Sequence, residues 1–210
     1  MIEKIKRYAI ENENKEEAVV KRLLKMPVPL AYYIALYAHR NQIRENGEPY
    51  INHPISIFNN YYLFADLKEG NDLYVDVALM EDCGLPYLGV RELCFLHDVV
   101  EDTEITIEDI ENIYTTQGLG DHFDKYIKDA LIAITHDKNT AYSAYIEKVL
   151  SNRTASLVKM LDLYDNMNPA TLSKYTEKEK GRMGLYMSIM IKILDKYDFT
   201  NRMGEYILKR

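Results

Sequence analysis

Apolar residues in this chain recur at helical spacing almost from end to end, and proline and glycine cut the pattern into short runs. No stretch alternates with the two-residue period of a half-buried strand, and there is no repeat, low-complexity tract or Gly/Ser linker. Short amphipathic helices bury their apolar faces by packing on one another. The expected fold is therefore all-α, a single helical domain over residues 1–210. Its core is expected at about 28–170, with an N-terminal helix and a long C-terminal helix.

The punctuation gives the expected elements. "EEAVVKRLLKM", Glu16 to Met26, has an apolar face that Pro27 and Pro29 stop. "LAYYIALYAHRNQIRENG" follows and ends at Gly47, a helix-terminating glycine. Glu48 to Pro54 is expected as a turn or extended link, with Pro54 in the first turn of "ISIFNNYYLFADL". "NDLYVDVALMEDCG" makes another helix, and Pro86 and Gly89 punctuate the link to "VRELCFLHDVVEDT". "TIEDIENIYTTQG" is capped by Thr106, with Asp109 three positions on. Further helices are expected at Asp121 to Ile134, Thr140 to Leu150, Thr154 to Asn166 and, beyond Pro169, about Thr176 to Leu208.

Composition narrows the function. At 47% hydrophobic residues the chain has material for a real core, and its net charge of −7 argues against a general nucleic-acid binder. A small anionic ligand held by a metal and a few local cations remains open. Cys83 and Cys94, the only cysteines, lack CxxC spacing and suit a reducing compartment. The charged start has no signal-peptide core, and no apolar run approaches the roughly 20 residues of a membrane span. These features predict a cytoplasmic protein with no membrane and no nucleic-acid partner.

Within "FLHDVVEDTEIT", Phe95 to Thr106, residues 97–102 alone concentrate an imidazole and three carboxylates in one short helix. Such a cluster repels itself unless it is solvated or a cation holds it together. His97 and Glu101 share one helical face, and Asp98 and Asp102 the neighbouring stripe. His97 and Asp98 reach one metal together where the helix end loosens. Nitrogen plus carboxylate oxygen suits a borderline divalent ion such as Mn²⁺, Fe²⁺ or Zn²⁺. His53, on the link before Pro54, and Asp162, in "SLVKMLDLYDNM", are candidates for further ligands. Two imidazoles and two carboxylates leave positions open for water and substrate, as hydrolysis requires. Glu101 and Asp102 are then placed to hold or deprotonate that water. An HD dipeptide alone carries little weight: His136-Asp137, without downstream acids, reads as a loop, and His39 and His122 as surface or packing residues. The eighteen tyrosines recur mostly at helical spacing and read as core or half-buried residues.

"AHRNQIRENGEPYINHP", "LHDVVEDTEIT" and "LVKMLDLYDNM" together resemble three successive motifs of the RelA/SpoT hydrolase domain, an HD-type domain. The resemblance covers about Leu30 to Ala170, and the length is nearest the small alarmone hydrolases that carry this domain alone. It implies an all-α fold, one Mn²⁺, and removal of the 3′-pyrophosphate of (p)ppGpp to give GDP or GTP, an activity of the stringent response. By motif it places metal ligands on His53, His97, Asp98 and Asp162, and the catalytic acids on Glu101 and Asp102. It places a base-packing arginine on Arg44, a substrate-contacting asparagine on Asn166 and a substrate-contacting tyrosine on Tyr186. Glu45, Leu163 and Asn168 depart from the pattern, standing where the family carries basic residues. The segment from about Leu67 to Val90 is longer than the family's link. The lost positive charge keeps two other readings open: a phosphohydrolase of another nucleotide, such as an NADPH 2′-phosphatase, and a non-catalytic, antitoxin-like alarmone-binding partner. The C-terminal helix is a candidate for covering the core or for forming a homodimer.

Overall fold

The computed structural model describes residues 1–13, 15–64, 88–168 and 176–197. Among these the protein is all-α, with one isolated antiparallel bridge, Ile43 to Pro49. In chain order the helices are α1 (Ile2–Glu13), α2 (Glu17–Leu23), α3 (Pro27–Ala38), α4 (Asn52–Phe64), α5 (Val90–Leu96) and α6 (Val99–Asp102). They continue as α7 (Ile107–Thr116), α8 (Gly120–Tyr126), α9 (Lys128–Ile134), α10 (Tyr142–Leu150), α11 (Arg153–Asn166) and α12 (Glu177–Lys196). The helix expected at Asn71 to Gly84, and the C-terminal helix beyond residue 197, lie outside the described residues.

Two helices form the centre. Every residue of α5 except Arg91 is buried, and α5 packs on α3, α4 and α11. Helix α11 buries Leu157, Val158, Met160, Leu161 and Leu163, and packs on α4, α9, α10 and α12. Buried apolar side chains from Ile5 to Ile193 join one cluster around this pair. His97 follows directly on α5 and Asp162 lies on α11, so both motifs are held at the buried centre.

Local chemistry sets the ends. Asn152 caps α11 by accepting the Ala155 N–H at 2.9 Å. Thr106 and Asp109 close the expected capping box on α7. Gly89 begins α5 at φ 87°, and a Cβ there would lie 2.0 Å from the Tyr126 carbonyl oxygen. A side chain is therefore excluded twice over, by the left-handed backbone and by the neighbour.

Several boundaries differ from expectation for identifiable reasons. A helix α1 precedes the expected N-terminal one, and it packs Ile5 and Ala9 against α3. Pro27 opens α3 at its first position, which its fixed φ favours, as well as following the end of α2. Helix α3 stops at Ala38, not Gly47. Gly47, at φ 87°, instead closes a tight turn in which its N–H reaches the Arg44 carbonyl at 2.9 Å. Arg44 N–H to the Glu48 carbonyl, 2.8 Å, and Tyr50 N–H to the Gln42 carbonyl, 3.0 Å, make this segment hairpin-like. Asn46-Gly47 is the signal for this turn. His53 sits in the first turn of α4 rather than on an extended link. The expected helix Val90 to Thr103 breaks at His97 and Asp98 into α5 and α6. The His97 imidazole engages the Cys94 carbonyl at 3.0 Å, which an unbroken helix would use for the Asp98 N–H.

Candidate metal centre

The break brings His97 and Asp98 to one point. Nδ1 of His97 donates to the Cys94 carbonyl, because a carbonyl can only accept. In the neutral ring Nε2 is then a lone pair. It is buried, has no hydrogen-bond partner, and stands 2.9 Å from Oδ2 of Asp98. Two acceptors at that distance are reconciled only by a positive charge between them, a proton or a metal cation.

His53 approaches from α4. Its Nδ1 lies 2.7 Å from Oδ2 of Asp165, and its Nε2 lies 3.5 Å from Asp98 Oδ2 and 3.2 Å from Asp162 Oδ1. The ring centroids of His53 and His97 are 5.2 Å apart. One ligand atom each from His53, His97 and Asp98 falls within 4.8 Å of the others, so this group can hold a metal ion. Asp162 Oδ1 is 3.9 Å from His97 Nε2 as well as 3.2 Å from His53. It borders the same space from α11. Its other oxygen accepts from Lys159 Nζ at 2.8 Å, and Asn166 Nδ2 donates to Oδ1 at 2.6 Å.

The electrostatics fit a cation. Burial alone would lower the pKa of His53, yet its bonds to Asp162, Asp165 and Asp98 raise it well above the usual imidazole value. Burial alone would raise the carboxyl of Asp98, yet the imidazoles of His97 and His53 hold it well below the carboxylate range. Asp162 is likewise lowered against burial, chiefly by Lys159 and His53. The site keeps its carboxylates ionised and favours positive charge at their centre, the condition for binding a divalent ion.

Glu101 and Asp102 stand on α6 beside this cluster. Burial, helped by the charge of Asp98, raises both carboxyl groups. Glu101 accepts the backbone N–H of His136 at 3.2 Å, and Asp102 lies 3.3 Å from the Tyr50 hydroxyl, whose one proton goes to the nearer Asp98. The His136 loop, expected to be uninvolved, therefore borders an acid of the site through its backbone.

Of the three expected substrate contacts, Asn166 reaches the cluster directly, through Asp162. Arg44 is mostly buried and donates to Asp165 at 3.3 Å. Tyr186, on α12, is half-buried against the core, and burial raises its phenol while Arg182 offsets part of that rise. A cavity of about 400 Å³ opens beside the cluster, lined by Ser56, Asn60, Tyr164, Asp165, Met167 and Asn168.

Four supporting residues escaped the motif reading. Asp165 backs His53. Lys159 neutralises Asp162. Tyr50 donates to Asp98 at 2.6 Å. His39, buried as a packing residue, stacks on Tyr50 with centroids 4.6 Å apart. Helical spacing carried a signal for two of them, since Lys159 and Asp165 each stand three residues from Asp162 on either side. His122 pairs with Glu92 at 2.9 Å, away from the centre.

No protein-family model matches the chain. Curated proteins do. It is 25% identical over 170 residues to the guanosine-3′,5′-bis(diphosphate) 3′-pyrophosphohydrolase of Drosophila melanogaster, covering 80% of this chain and 82% of that one. The Homo sapiens protein of the same name is 27% identical over 81% of this chain and 84% of its own. The bifunctional (p)ppGpp synthase/hydrolase SpoT of Escherichia coli is 31% identical over 98 residues, 47% of this chain and 10% of that protein. A solved structure of a metazoan ortholog of SpoT, described as hydrolysing ppGpp, superposes with a TM-score of 0.55 at 20% identity over 88% of this chain and 96% of that one. In sequence and in fold, the chain is a relative of the metazoan-type SpoT-like hydrolases.

Proposed function

We propose that the chain is a metal-dependent guanosine-3′,5′-bis(diphosphate) 3′-pyrophosphohydrolase, a single domain acting in the cytoplasm on a small nucleotide. The supporting observation is the meeting of His97 Nε2, a buried lone pair without a partner, with His53 and Asp98 around one point that Asp162 borders from α11. The relatives that share most of the chain's length carry this activity in their names.

His53, His97, Asp98 and Asp162 would hold the ion, and two nitrogens with two carboxylates suit Mn²⁺, with Fe²⁺ and Zn²⁺ next. Such an ion supplies neutralisation of phosphate charge and lowers the pKa of a water molecule. The chain supplies the rest. Glu101 and Asp102 orient the attacking water and accept its proton, which their raised pKa values suit. The water oxygen bonds to the phosphorus nearest the ribose, the bond from that phosphorus to the 3′-oxygen breaks, and the proton passes to the 3′-oxygen. Intact pyrophosphate leaves together with GDP or GTP. Asn166 orients sugar or phosphate, Arg44 packs on the base, and Tyr186 borders the substrate from α12.

The test is product analysis with Mn²⁺-loaded protein on (p)ppGpp, other nucleotides and NADPH. Pyrophosphate from (p)ppGpp is expected. Orthophosphate from NADPH, with no pyrophosphate from (p)ppGpp, would replace this reading with a 2′-phosphatase.

A further inference from the structure

We propose that Asp165 is a positioning residue for the metal centre, fixing His53 with Nδ1 protonated and Nε2 aimed at the ion while anchoring Arg44 with the same oxygen. This rests on the function proposed above, but its test does not.

Asp165 is buried on α11, three residues after Asp162. Its Oδ2 receives His53 Nδ1 at 2.7 Å and Arg44 Nη1 at 3.3 Å. Its Oδ1 accepts the Ser56 hydroxyl at 2.5 Å. An ionised carboxylate only accepts, so the His53 proton in the neutral ring belongs on Nδ1 and the lone pair on Nε2. That nitrogen is the one facing Asp98 and Asp162. A carboxylate behind an imidazole raises its basicity as a metal ligand and locks its rotation. The oxygens of Asp165 meet the far edge of the ring, so it acts on an ion through His53 and not as a ligand.

The arrangement joins three segments at one side chain. Ser56 and His53 come from α4, Arg44 from the turn before it, and Asp165 from the helix that carries Asp162. A purely structural role would need only the ion pair to Arg44. Placement of the carboxylate within 2.7 Å of the ring nitrogen adds a consequence that a structural role lacks, a dependence of metal affinity on Asp165.

The experiment titrates Mn²⁺ into nucleotide-free protein by calorimetry. Asp165→Asn keeps the shape and one acceptor without the charge, and Asp165→Ala removes both. The Kd for Mn²⁺ should rise roughly 10- to 100-fold in Asp165→Ala and less in Asp165→Asn. In ¹⁵N spectra of Zn²⁺-loaded wild type, the His53 Nδ1 should carry a slowly exchanging proton that Asp165→Ala loses. A folded Asp165→Ala protein with Mn²⁺ affinity within about twofold of wild type overturns the proposal. If that variant does not fold, the same result in Asp165→Asn overturns it. Wild-type turnover of (p)ppGpp is scored separately. A wild type that is inactive on (p)ppGpp while the Asp165 variants lose Mn²⁺ affinity sinks the proposed reaction and supports the positioning role.

Discussion

Lys159 places its ammonium 2.8 Å from Oδ2 of Asp162, and both groups are largely buried. The ammonium also lies 5.5 Å from the centroid of the Tyr145 ring. Asp162 thus has one oxygen neutralised by its own helix and the other turned toward His53. Lys159→Met keeps the length of the side chain and removes the charge. Breaking one partner of a buried pair costs about 3–5 kcal/mol, so metal-free Lys159→Met should lose about that much unfolding free energy in urea denaturation. Saturating Mn²⁺ should recover part of the loss by replacing the missing charge. Wild-type stability in the metal-free variant would mean that Asp162 is satisfied without Lys159.

Metal removal should be visible in stability. An ion bound only by the folded state stabilises by about 2.7 kcal/mol at 100 times its Kd. The melting temperature of chelator-treated protein should therefore rise with added Mn²⁺. His97→Ala removes the partnerless Nε2 and should abolish the response. A full thermal shift in that variant would place the ion elsewhere.

The acids should separate chemistry from binding. Glu101→Gln leaves an oxygen for the His136 N–H, and Asp102→Asn keeps the side-chain shape beside the Tyr50 hydroxyl, so neither should disturb the fold. Mn²⁺ affinity should persist while kcat falls on the order of 10²-fold or more. The double variant should lose less than the product of the single losses, because the two acids share one water. Undiminished kcat in both single variants would return these residues to a solvated surface role.

The legible part of the site was the part carried by short-range spacing. His97, Asp98, Glu101 and Asp102 lie within six residues, and the capping box of α7 lies within four. Asp162 was reached as a candidate ligand in "SLVKMLDLYDNM", whereas its burial on α11 came only with the structure. What escaped depends on contacts between segments. Asp165 meets His53 across 112 positions and Arg44 across 121, and no local pattern encodes either meeting. The end of α3 was misplaced because Gly47 reads as its terminator, although the stretch from His39 to Gly47 is polar apart from Ile43 and its turn depends on a few backbone bonds. The break between α5 and α6 was hidden because its cause is a side chain taking a carbonyl from its own helix. The nearness of Lys159 to Asp162 likewise becomes meaningful only once both are buried.

Two glycines should respond unequally to alanine. Gly89 and Gly47 both have φ 87°, so each substitution carries the left-handed backbone penalty of roughly 1–2 kcal/mol. At Gly47 the new methyl meets nothing within 4 Å, whereas at Gly89 it would meet the Tyr126 carbonyl at 2.0 Å. Overpacking adds about 1–3 kcal/mol. Gly89→Ala should therefore lower stability clearly more than Gly47→Ala in matched denaturation curves. Equal losses would mean that the contact between Gly89 and Tyr126 relaxes freely.

Arg44 tests whether substrate recognition and metal positioning are separable. Its side chain is 11% exposed and its guanidinium is bound to Asp165, so the remaining exposed part is what is left for a base. Glu45, Leu163 and Asn168 add no positive charge nearby, which leaves Arg44 a large share of nucleotide binding. A partly desolvated cation–π contact is worth about 1–2 kcal/mol, so Arg44→Ala should raise the KM for (p)ppGpp roughly 5- to 30-fold. Arg44→Lys should not restore it, because a point charge replaces neither the planar stack nor the fork. The loss of one neighbour of Asp165 should change kcat little, since the bonds from His53 and Ser56 remain. Steady-state kinetics with Mn²⁺ held saturating separates the outcomes. A fall in kcat at unchanged KM would show that Arg44 acts through Asp165 on the metal ligand and not on the base.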